Sequence, residues 1–95
     1  MQTVKSYEIG NRVTLSAVFK SEVTGTFTDP TTVVVRVRDP IGVETTPTPI
    51  IHEGTGLYNI TIDPEVPGIW VYRWEGAGAV VAVDERRFEI RGTVF

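Results

Sequence analysis

The 95-residue chain contains no cysteine, which removes disulfides, thiolate zinc sites and cysteine nucleophiles together. It has two leucines and four alanines, too few strong helix formers to sustain a helical fold. Its longest apolar run, Ala79 to Val83, is five residues long, where a membrane helix needs about 20. Met1–Glu8 lacks the basic stretch and apolar run of a secretory signal, so the expectation is a protein made in a cytoplasm and kept there until assembled. An excess of positive charge is missing too. A net charge of −3 argues against a general nucleic-acid binder, which needs a basic surface. The length suits one domain spanning residues 1–95, with an economical core.

What the chain has in abundance is β-branched residues: 15 valines, 13 threonines and 8 isoleucines. These favour the pleated surface of a sheet. Period-two alternation then places strands. Over Arg12–Lys20, Val13, Leu15, Ala17 and Phe19 share one face, with Val18 an apolar exception on the other. Over Thr32–Arg38, Val33, Val35 and Val37 face inward against Val34, Arg36 and Arg38. Leu57–Ile62 buries Tyr58, Ile60 and Ile62, and Ile69–Glu75 aligns Trp70, Tyr72 and Trp74. Arg86–Arg91 buries Phe88 and Ile90, and weaker strands are expected at Val4–Ile9, Val43–Thr46 and Val80–Val83. Asp29-Pro30, Asp39-Pro40, Asp63-Pro64 and Pro67-Gly68 punctuate the strands, since proline lacks a ladder donor and aspartate bonds turn backbone. Short strands separated by turn signals at this spacing predict a small all-β sandwich or barrel.

The chemistry-bearing residues are sparse. His52 is the single histidine, and its neighbour Glu53 points to the opposite face of an extended segment, so a polar loop is the expected setting. The carboxylates of Asp84-Glu85 and Asp63-Pro64-Glu65 fall in expected turns, where solvent keeps them ordinary. No window has the alternating acids and glycine of a calcium loop. Gly76-Ala77-Gly78 follows a strand without opening a helix, so it reads as a hairpin connection or bulge, with room for another chain to approach. Trp70, Tyr72 and Trp74 could form a sugar-stacking platform, but large aromatics more often make the core of a small domain. No cofactor or metal is expected.

Several runs together resemble small Ig-like domains of bacteriophage and prophage particles. They are Tyr7-Glu8-Ile9-Gly10, Val13-Thr14-Leu15, the run from Thr32 to Pro40, and Gly54-Thr55-Gly56-Leu57-Tyr58. The run from Pro67 to Gly76, then Gly78 to Ala82 and Arg86 to Ile90, continue the likeness, with Tyr72-Arg73-Trp74-Glu75-Gly76 its most specific part. The resemblance implies an Ig-like β-sandwich of seven or eight mainly antiparallel strands. It also implies a virion structural protein rather than an enzyme, either capsid decoration or a neck or tail accessory. The partner would be a capsid or neck/tail protein, neither nucleic acid nor membrane, with a homo-oligomer on the particle as a further possibility. A host- or carbohydrate-binding adhesion module on the virion is the alternative.

Two interface candidates follow. Arg36 and Arg38 face outward on one strand and Arg73 on its expected neighbour, so the three guanidiniums should cluster. They either pair with Glu75 and Glu89 across strands or dock acidic groups of a partner. The chain ends in Val94 and Phe95 beyond Gly92, two apolar side chains that should be covered by the sandwich or by a partner subunit.

Overall fold

Alternation turns directly into layers. The computed structural model describes residues 5–92. It contains β1 (Lys5–Glu8), β2 (Val13–Val18), β3 (Thr32–Arg38), β4 (Glu44–Thr45), β5 (Ile51–Gly54), β6 (Leu57–Ile62), β7 (Gly68–Ala77) and β8 (Ala82–Arg91). These form one sheet in the order β1-β8-β7-β3-β4 and another in the order β2-β6-β5. All pairs are antiparallel except β1 with β8.

The core lies between the sheets and follows the inward register. Val13, Leu15, Ala17 and Phe19 come from β2 and the residue after it, facing Val35 and Val37 of β3, Trp74 of β7, and Phe88 and Ile90 of β8. Each fully buried apolar side chain of this kind contributes about 1.5–3 kcal/mol. Trp74 sits at the centre with no exposed surface. Trp70 stacks on Phe88 with ring centroids 5.8 Å apart, and Tyr72 packs against the same ring at 6.0 Å. The three aromatics of β7 therefore face the core.

The crossover from β2 to β3 is tied down at both ends. Phe19 donates its N–H to Gly56 O at 2.8 Å, and Thr31 donates to Ala77 O at 2.8 Å. Gly56 is held at φ +72, and a Cβ there would strike the Phe19 carbonyl, so only glycine fits this approach. The Asp39-Pro40 turn works as its residues suggest: Asp39 Oδ1 accepts the Ile41 and Val43 N–H groups at 3.1 and 2.9 Å.

Some expectations are corrected. Val80–Val83 is no separate strand: Val80 and Val81 lie in the connection, and Ala82 begins a single strand that continues through Arg91. The Gly76-Ala77-Gly78 run is not a free hairpin connection, because Gly76 and Ala77 still pair with β3 as the end of β7. The close approach at buried Gly76 is made by the chain itself, since a Cβ there would lie 2.8 Å from the Phe19 ring and 3.0 Å from Pro30. The Val43–Thr46 strand shortens to Glu44–Thr45, and β5 was not foreseen.

Candidate functional site

His52 belongs to β5 rather than to a polar loop. Its ring stacks on Tyr58 of the adjacent strand with centroids 4.6 Å apart. Nε2 donates to Asp29 Oδ1 at 2.9 Å, and the same oxygen accepts the Gly56 N–H at 2.6 Å. The Gly56 contact first, then His52, holds the Asp29 carboxyl below its ordinary value, and burial followed by the Asp29 charge raises the Tyr58 hydroxyl. Sequence order hid this trio, because the acid lies 23 positions before the histidine. Its contacts join the β2–β3 crossover to the β5–β6 hairpin. Elsewhere, Asp63 pairs with Arg12 at 2.9 Å and Asp84 with Arg86 at 3.0 Å. Among the described residues no group of three or more histidine, cysteine, aspartate or glutamate side chains could hold a metal ion.

The structure brings Arg36, Arg38 and Arg73 together on the outer face of the larger sheet, with Arg36 directly opposite Arg73. Arg36 contacts Glu75 at 3.4 Å and Glu44 at 3.5 Å, Arg38 contacts Glu44 at 3.3 Å, and Arg73 contacts Glu75 at 3.0 Å. Glu85 stands opposite Arg73 on the next strand. The expected partner Glu89 is not used; it lies opposite Ile69, in a different row, and accepts a hydrogen bond from Ser6. Glu44 takes its place because the short β4 pairs alongside Arg38. Three arginines and three glutamates make this face polar and charge-balanced. Val94 and Phe95 lie outside the described residues.

A feature not anticipated from the sequence lies at one edge of the sandwich. The sheets hold five and three strands, and on the flank where β1 and β8 meet β2 they leave a groove of about 440 Å³. Its walls include Tyr7, Leu15, Tyr72 and Phe88, and Lys5, Arg86 and Arg87 also line it. Burial, more than the neighbouring charges, raises the Tyr72 hydroxyl. The inward positions of β8 run Ala82, Asp84, Arg86, Phe88, Ile90, opposite Gly76, Trp74, Tyr72, Trp70 and Gly68. Two charged residues in an inward register are the one sequence signal that could have pointed to a groove at this half of β8.

No family model matches the chain, and no curated protein matches it. It is similar to a solved structure, the crystal structure of the Lin-41 filamin domain, with a TM-score of 0.72 over 96% of this chain and 87% of that one. The fold is Ig-like. At 14% identity the likeness is one of fold. In this Ig-like sandwich the most specific run of the sequence, Tyr72-Arg73-Trp74-Glu75-Gly76, is the middle and end of β7, which carries the central core ring and the tight contact with Phe19 and Pro30.

Proposed function

We propose that the chain is a structural accessory protein of a bacteriophage particle, a capsid decoration or a neck or tail accessory, acting by docking onto a larger assembly. The observation that carries this reading is the resemblance to phage Ig-like domains, which runs from Tyr7 to Phe95 and is most specific at Tyr72–Gly76. The Ig-like fold agrees with that resemblance. An aromatic-walled groove on one flank suits a docking role. The adhesion reading would draw on a row of exposed rings, and the rings of β7 face inward, with Trp74 fully buried.

The mechanism is burial of an interface. A domain this small adds stability to a shell when each copy bridges or covers a repeated site, because the free energy of each contact is multiplied over the particle. Particles assembled without the chain should disrupt at lower temperature or milder osmotic shock than complete ones, and added purified chain should co-sediment with them and restore resistance. Particles indifferent to its omission, with added chain left in the supernatant, would contradict the reading.

A further inference from the structure

The groove beside β2 runs between two strand edges. Among the described residues β2 is the terminal strand of its sheet, and none pairs with Ala82–Arg87 on the side where β1 meets β8 from Phe88 onward. The direction of the free backbone groups on β2 follows from its ladder. Phe19 donates toward Gly56, so the odd-numbered residues exchange hydrogen bonds with β6. The N–H and C=O groups of Thr14, Ser16 and Val18 then point outward, away from β6. Inside the groove these groups meet an apolar floor containing Leu15 and Phe88. The cations have a distinctive setting: in a chain of net charge −3, Lys5, Arg86 and Arg87 line the groove, and no acid lines it among the described residues. Arg86 shares Asp84, which does not line the groove, while Lys5 and Arg87 take no part in the ion pairs among the described residues.

Lys5 lies opposite Phe88 and Arg86 opposite Tyr72, so both point toward the space between the sheets. Inward-pointing charge on an edge strand ordinarily bars another strand from adding. The bar is selective, however, because an incoming strand with carboxylates at the matching positions converts repulsion and desolvation into cross-strand ion pairs. We propose that this groove receives an extended acidic segment of a partner protein, whose groove-facing row of alternate residues carries aspartate or glutamate between apolar side chains, adding as a strand along the edge of β2. The proposal rests on the docking reading above and names its contact surface. Main-chain hydrogen bonds to Thr14 and Ser16 supply the register, the aromatic walls accept the apolar side chains, and Lys5, Arg86 and Arg87 select for acid.

The test uses the purified chain with two acetylated, amidated peptides, the acidic TVTETVT and its basic counterpart TVTKTVT, which place the charge and two valines on one face, read by amide hydrogen exchange and titration. The acidic peptide should slow exchange at Thr14 and Ser16 and bind more weakly as salt is raised, and the basic peptide should do neither. Combining Arg86→Glu with Arg87→Glu should weaken binding by about tenfold, the scale of two lost opposite-charge contacts. Ser16→Pro, which removes an outward N–H and no bond to β6, should weaken it with little change in melting temperature. Equal binding of both peptides, or protection confined to other edges, would overturn the proposal. So would protection of Thr14 and Ser16 already present without peptide. If independent of concentration, it would assign the groove to the chain's own Met1–Val4; if it grew with concentration, to a second copy. Because these measurements need no particle, they stand apart from the virion role: a chain that binds the acidic peptide but is absent from particles loses that role alone. A chain present on particles but indifferent to the acidic peptide loses the groove proposal alone.

Discussion

Trp74 has no exposed surface, and its indole N–H has no hydrogen-bond partner among the described residues. Truncating it to alanine leaves a large cavity and should cost about 3–5 kcal/mol, a large share of the about 5–15 kcal/mol that holds a typical domain together. Trp74→Phe should cost less, because it retains a ring and removes the unmatched donor. Denaturant melts of both variants check this; a Trp74→Ala protein as stable as the parent would show that the ring is not a core element. Asp29 supplies a second test at this scale. Its carboxyl is held below the ordinary value, chiefly by the Gly56 N–H and then by His52. A depressed carboxyl adds stability above its unfolded pKa of about 3.9 and loses it as pH falls through the lower folded value. The melting temperature of the parent should therefore fall more steeply below about pH 4 than that of Asp29→Asn, and the two should converge in acid. Parallel curves would mean that the ionised carboxylate adds nothing to the fold.

At the scale of elements, strands with one clean buried face were legible and those without one were not. Val13, Leu15 and Ala17 alternate with Thr14 and Ser16, so β2 was readable from periodicity alone, as was β3 from Val33, Val35 and Val37. β5 escaped because Ile51, His52 and Glu53 are all exposed, and only pairing with β6 makes them a strand. The first half of β8 escaped because Asp84 and Arg86 occupy inward positions where periodicity expects apolar side chains. The clustering of Arg36, Arg38 and Arg73 was foreseen, but their main acid was not, since Glu44 reaches them through a two-residue strand. Each guanidinium is about half exposed and already paired, and exposed pairs of this kind are worth about 0–1 kcal/mol each. Combining Arg36→Gln with Arg73→Gln should lower the melting temperature slightly and leave particle association unchanged, whereas reversing Arg86 and Arg87 should reduce association. Loss of association in the Arg36 and Arg73 variant alone would move the docking site to the outer face of the larger sheet.

The whole molecule shows what single strands cannot. Composition and alternation were enough to read an all-β sandwich or barrel, because the inward positions of each strand are set locally, and the resemblance pointed to the sandwich. The groove depends instead on how the two sheets meet at their edges, where β1 pairs in parallel with β8, Lys5 opposite Phe88, residues 83 positions apart. The trio of His52, Asp29 and Tyr58 was hidden for the same reason, since its members meet only after the β2–β3 crossover has passed beside the β5–β6 hairpin. The central claim of the proposed virion role is that the chain is a component of the particle. Quantitative mass spectrometry of purified particles tests that claim most directly. The account predicts the chain at a fixed ratio to the major capsid protein, retained through gradient purification. A chain abundant in the infected lysate but absent from purified particles would contradict it.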